Sequence, residues 1–401
     1  MLLTGFLQAF ALQNLLMALG GTVLGIIMGA FLGIGSTITM ALLLPFTFWM
    51  KPAGALILLG FVYCDATYGS SISGTTRYTF SISYLEDGIQ LLPAVVGLFA
   101  VSGVFVMKKS TKVRQMLQKK EALVVPGVHD VLSAKLVQQA GFKAVQASGL
   151  GLAATLLGLP DMAFLSFGEM CDFTRTIANS IDVPLMADAD TGFGNSINAM
   201  YVTRKYIEAG CAGMNIEDQM FPKRCGHMEG KTIVTMEEMA LKIKACTKVR
   251  NEMDLDFIIN ARTDSIAVSG IDEAIRRGNA YIDAGAYMIF VEAPRTVEDI
   301  KRAVKVIHGL VSINLFDFVQ GGKTPLISVD ELKAIGVARI SVPVGPLFAA
   351  VKGMANYLNV IKDGFAPGRT DLVSSFAEYK ELIGYNKFRD LEKEYLPKFV
   401  E

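Results

Sequence analysis

Within one short stretch the chain carries an acidic pair, a cysteine between bases and a histidine: Ile216-Glu217-Asp218-Gln219-Met220-Phe221-Pro222-Lys223-Arg224-Cys225-Gly226-His227. A thiol beside Lys, Arg and His⁺ has a lowered pKa and is ready for proton transfer, whereas a cysteine that only fills a core sits among apolar neighbours. Cys225 is therefore a candidate acid, base or nucleophile, with His227 able to sit near the same reacting centre. The competing account is a solvated basic loop with Cys225 packed beneath it.

Upstream, Ala187-Asp188-Ala189-Asp190-Thr191-Gly192-Phe193-Gly194-Asn195 places two carboxylates at i and i+2, so in a regular strand both face one side. Oxygen ligands of this kind suit Mg²⁺, which takes one or two carboxylates and keeps several waters. Glu217 and Asp161, the latter in Gly158-Leu159-Pro160-Asp161, can complete the site directly or through water; helix capping is the other use for either aspartate. Arg262, in Ala261-Arg262-Thr263-Asp264, has the fork for a bidentate carboxylate contact, and its alternative is an internal salt bridge to Glu292 or Asp264. Ser148-Gly149 can offer backbone N–H groups to an oxyanion, or be a plain strand-to-helix turn. His129 and His308 carry no further signal and read as structural.

These residues need elements that bring them together. From about Leu123, short apolar runs alternate with amphipathic helices. The runs begin at Leu123, Ala144, Val183, Gly213, Phe257, Tyr287, Leu310 and Ala338; the helices include residues 196–209, 236–250 and 272–283. Several helices end in Ala-Gly (Ala140-Gly141, Ala209-Gly210, Ala284-Gly285), a stop followed by return into a strand. Eight strands alternating with helices predict an α/β fold, a (β/α)8 TIM-type barrel. Ser148, Asp188, Asp190, Glu217, Arg262, Glu292 and Asn314 all fall at or just beyond the ends of their strands, which in a barrel converge on one catalytic face.

The first 107 residues are of another kind. Lys51, Asp65, Arg77, Glu86 and Asp87 are their only charges. Residues 22–44 are uncharged and exceed the roughly 20 needed to cross a bilayer, with Gly21, Gly25, Gly29 and Gly33 spaced for close helix contact. Further spans are expected at residues 52–64 and 88–107, giving a short all-α transmembrane region. Lys108, Lys109, Lys112 and Arg114 follow it, either holding the remainder on the cytoplasmic side of the inner membrane or lining the polar face of a first soluble helix. The expected organisation is residues 1–107 in the membrane, 108–121 as a basic linker and first helix, and 122–401 as the barrel with C-terminal helices. Charges balance at 38 basic and 38 acidic, so no global field points to nucleic acid. Five cysteines form no CxxC pair, and the Cys225-His227 spacing does not match common zinc sites; reduced cytoplasmic thiols are expected, and a structural zinc is not.

The N-terminal part resembles the large membrane subunit of tripartite tricarboxylate transporters through its Gly-spaced helix, residues 41–48, Tyr68-Gly69-Ser70-Ser71-Ile72-Ser73 and residues 87–102. A many-helix transporter reduced to about 100 residues implies an anchor or fusion remnant rather than a translocation path. The rest is similar to the isocitrate lyase/phosphoenolpyruvate mutase superfamily, in particular its short lyases. The likeness runs through Gly158-Leu159-Pro160-Asp161, Asp188-Ala189-Asp190-Thr191-Gly192-Phe193-Gly194, Lys223-Arg224-Cys225-Gly226-His227, Ala261-Arg262-Thr263-Asp264 and Gly321-Gly322-Lys323-Thr324-Pro325.

The resemblance implies a carbon–carbon lyase acting on a small 2-hydroxy dicarboxylate. Mg²⁺, with Mn²⁺ as substitute, would be held by Asp188, Asp190, Glu217 and Asp161. Cys225, Arg262, Glu292, His227 and Lys223 would be catalytic, and Ser148, Gly149, Leu150, Arg224, Gly226 and Asn314 would touch substrate. Retro-Claisen cleavage would release pyruvate, with Cys225 protonating the carbanion equivalent. It further implies a homotetramer that exchanges a C-terminal helix, a role that suits residues 375–395. Three positions depart from the pattern: Gln146 stands near a usual Tyr, Gln320 at a usual acid, and Phe348 at an Arg for an extra carboxylate, with Lys352 as a possible replacement. The last favours 2,3-dimethylmalate over 2-methylisocitrate. From a different class, a transport component binding a di- or tricarboxylate is the alternative.

Overall fold

The eight apolar runs pair side by side in chain order and close on themselves. The structure is a computed structural model; it describes residues 19–21, 69–70, 76–77, 108–119, 122–226, 228, 230–316, 321–362, 364 and 368–396. The chain divides into two compact units, Met1–Met107 and Lys108–Glu401. In the first, residues 19–21 are helical, and Gly69–Ser70 pairs antiparallel with Thr76–Arg77, a strand pair where only helix was expected. The three expected spans lie outside the described residues. Among the described residues no helix is long and apolar enough to cross a membrane.

In the second unit, helix α1 (Lys109–Gln118) precedes β1 (Leu123–Val128), α2 (Val131–Gln139) and β2 (Val145–Ala147). Then come α3 (Gly149–Leu157), α4 (Phe167–Ser180), β3 (Leu185–Asp188), α5 (Ser196–Glu208) and β4 (Gly213–Glu217). α6 (Met236–Met253), β5 (Ile258–Thr263), α7 (Ser265–Ser269), α8 (Ile271–Asp283) and β6 (Met288–Val291) follow. The unit ends with α9 (Val297–Val306), β7 (Leu310–Asn314), α10 (Val329–Ile335), β8 (Arg339–Val342), α11 (Gly345–Lys362), α12 (Phe376–Ile383) and α13 (Tyr385–Tyr395). All eight pairings are parallel, and β8 closes the barrel on β1 with Arg339 opposite Leu123 and Val342 opposite Pro126. Strands covered on both faces need no strict polar alternation, which is why these runs are rich in Val, Ile, Leu, Ala and Met, with polar residues confined mainly to the lumen.

α1 lies across the N-terminal end of the barrel, where Val113 and Leu117 join Leu123, Val125, Ala144, Met186, Ile258 and Met288 in one apolar cluster. Lys109 donates to the carbonyls of Ala178 and Ile181, so it is spent on the fold rather than left as a free charge beside a membrane. Ser166, Asn195, Thr296 and Ser328 close capping boxes on α4, α5, α9 and α10, fixing where strand-to-helix turns end. α11 buries only Leu347, and α12 and α13 bury no side chain. Gly384, at φ +71°, splits the stretch at 375–395 into the last two helices.

Inward side chains stack in layers. Below the mouth, Asn260 donates to Asn215 at 2.7 Å, and the fully buried Arg339 donates to Ser312 at 2.9 Å and to Gln146. One layer higher stand Asp188, Glu217, Arg262, Glu292 and Asn314, all at the C-terminal ends of their strands.

Candidate active site

Asp188 ends β3. Its Oδ1 accepts from the Asp190 N–H at 3.2 Å and its Oδ2 from the Gly149 N–H at 3.1 Å. Asp190 lies beyond the strand at φ +44°, a left-handed conformation costing about 1–2 kcal/mol for a residue with a Cβ. That turn, not strand alternation, brings its carboxylate beside Asp188. A Cβ on Gly149 would stand 2.7 Å from Asp188 Oδ2 and 3.7 Å from Asp190 Oδ1, so the bare glycine keeps open the space both oxygens face.

Two buried oxygens here receive no hydrogen bond, Asp190 Oδ1 and Glu217 Oε1. Lys223 Nζ lies 2.5 Å from Asp161 Oδ1 and 2.9 Å from Asp190 Oδ1, an ion pair with each. Burial raises Asp190 to about 6, with Lys223 pulling it down and Asp188 and Asp161 pushing it up. Burial also pushes Glu217 well above the ordinary carboxylate range, against the pull of Arg262. For Lys223 burial disfavours the charge, yet Asp190 and Asp161 outweigh it and raise the ammonium's pKa.

This donor set fits a divalent cation. Carboxylate oxygens buried without a donor are costly unless a cation approaches them, and an ammonium already sits where positive charge is wanted. Among the described residues no three His, Cys, Asp or Glu groups are placed to hold an ion together.

Facing the carboxylates, Arg262 on β5 donates to Asp264 through Nε at 2.8 Å and Nη2 at 3.0 Å. It also lies 3.2 Å from Glu217 Oε2 and 3.8 Å from Glu292 Oε2, so the internal salt bridges expected as its alternative are present. Burial opposes its charge, but Asp264, Glu217 and Glu292 together hold the guanidinium firmly protonated. Asn314 Nδ2 donates to Glu292 Oε2 at 3.1 Å.

Over this mouth runs the cysteine segment. The Cys225 N–H donates to the Asp161 carbonyl at 3.3 Å, and the Gln219 side chain brackets Arg224, accepting from its N–H at 3.0 Å and donating to its carbonyl at 2.8 Å. A Cβ on Gly226 would fall 2.1 Å from Glu292 Oε1 and 2.5 Å from Arg262 Nη2, so the backbone itself rests on that pair. Cys225 is half-buried. His227 and Gln320 lie outside the described residues.

Several sequence expectations change in three dimensions. The Ser148 N–H is bonded to the Val128 carbonyl and the Gly149 N–H to Asp188, while Ser148 Oγ caps α3, so the strand-to-helix turn describes these two better than an oxyanion cradle. Gln146 is bonded to Arg339 below the mouth, and Phe348 and Lys352 are exposed on α11. The acidic pair separates: Glu217 enters the lumen, while Asp218, one residue on, accepts from Thr263, Asp264, Arg277 and Tyr281 behind the strand. Lys231 went unnoticed because nothing in its local sequence distinguishes it from a surface lysine; it is buried against Asp264 at 2.8 Å.

A parallel barrel whose strand-end carboxylates are overlain by a thiol segment defines a class of enzyme, and the chain belongs to it: the family model described as phosphoenolpyruvate phosphomutase matches residues 113–362, within the phosphoenolpyruvate mutase/isocitrate lyase superfamily. Among curated relatives, 2,3-dimethylmalate lyase of Eubacterium barkeri is 41% identical over 290 residues, covering 72% of this chain and 99% of that one. The 2-methylisocitrate lyase of Escherichia coli (strain K12) is 36% identical over 279 residues, covering 69% and 93%. Of solved structures, oxaloacetate acetylhydrolase in complex with 3,3-difluorooxalacetate matches with TM-score 0.68 at 32% identity, covering 73% of this chain and 99% of that one. Phosphonopyruvate hydrolase in complex with oxalate and Mg²⁺ matches with TM-score 0.65 at 32% identity, covering 73% and 100%. Upstream, the tripartite tricarboxylate transporter TctA family model matches residues 15–75.

Proposed function

We propose that this enzyme is a Mg²⁺-dependent carbon–carbon lyase cleaving a 2-hydroxy dicarboxylate of the 2,3-dimethylmalate type to pyruvate and propionate. The observation that carries the reading is the seat of the Cys225 segment: on one side Lys223 touches Asp161 and Asp190, and on the other Gly226 rests on Arg262 and Glu292. A proton donor for a carbanion belongs between the anionic and cationic halves of such a site.

Asp188, Asp190, Glu217 and Asp161 would hold the ion. Once bound, it supplies positive charge to the substrate's hydroxyl and adjacent carboxylate. The remaining work falls to the chain's side chains. As the hydroxyl proton passes to water, cleavage of the C2–C3 bond turns the hydroxyl-bearing carbon into the carbonyl of pyruvate and leaves the electron pair on C3. Arg262, kept charged by its three carboxylates, faces the oxygens on which that pair delocalises, with Glu292 and Asn314 ordering the region. The Cys225 thiol gives its proton to C3, yielding propionate, and regains one from solvent. Ser148, Gly149, Leu150, Arg224 and Gly226 would frame the substrate, and Lys223 and His227 would assist the thiol.

Cleavage of 2-methylisocitrate to pyruvate and succinate is the second reading. What favours it is a cleft of about 530 Å³ beside the cysteine segment, lined by Met228, Lys231, Ile266, Ala293, Arg295 and Lys323, of whose three cations Arg295 and Lys323 suit an extra carboxylate. A binding or transport component has no use for a proton-donating thiol at this position. The match at residues 15–75 supports attachment of the enzyme to a membrane through residues 1–107, with the catalytic unit cytoplasmic. Exposed Phe348, Val351, Met354 and Leu358 on α11, beside an apolar groove of about 790 Å³ lined by Leu132, Leu136, Phe142 and Pro346, support a homo-oligomer of the barrel, a tetramer on our reading.

The test is pyruvate release by the full chain with Mg²⁺, coupled to lactate dehydrogenase, over a panel of substituted malates and 2-methylisocitrate. Cys225→Ser is expected to lower kcat by about 10²-fold or more. Undiminished turnover in that variant overturns the proton donor, and no pyruvate from any panel member overturns the lyase.

A further inference from the structure

Five residues beyond Gly226 the chain returns to the site through Lys231, whose side chain is 1% exposed. Its ammonium donates to the Gly226 carbonyl and to Asp264 Oδ1, the latter at 2.8 Å. Asp264 is also the two-pronged partner of Arg262, at 2.8 and 3.0 Å, and its own backbone N–H is anchored on Asp218 at 2.9 Å. One carboxylate thus joins the guanidinium that faces the reacting oxygens to the peptide that follows the thiol. Gly226 has no slack against this wall, because even a methyl group there would collide with Glu292 and Arg262.

A buried ammonium is costly unless it is paired and its remaining protons are used. Charge balance for Asp264 explains half of what Lys231 does, since Arg262 is shared among Asp264, Glu217 and Glu292. It does not explain why the second hydrogen bond goes to a carbonyl of the cysteine segment. Lys223 holds that segment from the other side, through Asp161 and Asp190. The thiol of Cys225 is carried between two lysine tethers, only one of which touches the carboxylates that would face a metal ion.

We infer that Lys231 is a positioning residue, tying the carbonyl of Gly226, the residue next to the thiol, to Asp264 and so to Arg262, so that thiol and guanidinium are set in one frame. The inference rests on the reading of Cys225 as proton donor. Lys231 itself touches no reacting atom; it decides where the proton is delivered.

The experiment compares full-length wild type, Lys231→Met and Lys231→Arg. Three quantities are read: thermal midpoint, kcat against KM for pyruvate release, and the rate at which iodoacetamide alkylates Cys225 without substrate, followed by peptide mass spectrometry. Lys231→Met is expected to fold, because Asp264 keeps Arg262. With the tether gone, Cys225 should be alkylated about tenfold faster, as a locally released segment requires. The kcat should fall about 10²-fold with KM changed less than about threefold. Lys231→Arg, which keeps charge and donors, should bring both readouts most of the way back. A role in charge balance alone would lower the thermal midpoint and leave the thiol's accessibility unmoved; a folded Lys231→Met with the wild-type alkylation rate overturns the inference. Should Lys231→Met not fold, Lys231→Gln carries the same comparison with the same deciding outcome. Alkylation is read without substrate, so faster labelling in Lys231→Met together with a wild type inert on every substituted malate upholds the tether and overturns only the lyase reading.

Discussion

The ammonium of Lys223 lies 2.9 Å from Oδ1 of Asp190, an oxygen to which nothing donates a hydrogen bond. A cation of the chain's own thus occupies the approach to the carboxylates that would hold a metal. If the two compete, Mg²⁺ should raise the thermal midpoint of the wild type by mass action, Asp190→Asn should abolish the rise, and Lys223→Met should bring it on at several-fold lower Mg²⁺. Calorimetry over a Mg²⁺ series checks this, and a Lys223→Met response identical to wild type would refute the competition.

Gly226 marks the tightest approach of the cysteine segment to the strand ends. Gly226→Ala places a methyl group where Glu292 Oε1 and Arg262 Nη2 now stand. The segment must lift, which predicts a kcat loss of about 10²-fold with little change in thermal midpoint, since the bonds of Lys223 to Asp161 and of α6 to the barrel are untouched. Steady-state kinetics beside a melting curve decides it.

Thiol chemistry should rank the cysteines. Burial pushes Cys246 up to about 11 and Cys211 higher still, and it raises Cys171 despite Arg175 nearby. Only the thiolate reacts, so at about pH 8 these three should resist alkylation in the folded protein while half-buried Cys225 is labelled ahead of them. Peptide-resolved labelling showing Cys246 or Cys211 ahead of Cys225 would contradict the packing described.

Acid should act through Asp264. Burial alone would raise its pKa, but Arg262 and Lys231 outweigh it and hold it to about 2, against an unfolded value of about 3.9. A depressed carboxyl contributes stability that is fully present above the unfolded value and is lost as pH falls through the folded one, here on the order of 2 kcal/mol. The stability gap between wild type and Asp264→Asn, from urea unfolding, should be constant above about pH 4 and shrink toward about pH 2. A gap that holds its size across that window would show that the pair does not act this way.

Sequence by itself determined the barrel and its catalytic end. Eight mostly apolar runs, six of them with a polar residue at or just beyond the end, point to a doubly covered parallel sheet as the way to bury both faces, and the order of those runs is the order of the strands around the barrel. It also singled out Cys225, Lys223 and the Asp188/Asp190 pair, because reactive types crowded in short segments are visible without coordinates. Tertiary structure alone decided what those groups touch. Asp190 reaches Asp188 through a left-handed turn, not through strand alternation. Asp218 turns away from the lumen that Glu217 enters, and Lys231 is buried from a position that reads as surface. The last two depend on residues far apart in sequence: the Lys231 ammonium donates to the Asp264 carboxylate 33 residues on, and the Asp264 N–H donates to the Asp218 carboxylate 46 residues back. Local patterning records which side of an element is apolar; it does not record which distant charge will be waiting when that side is covered.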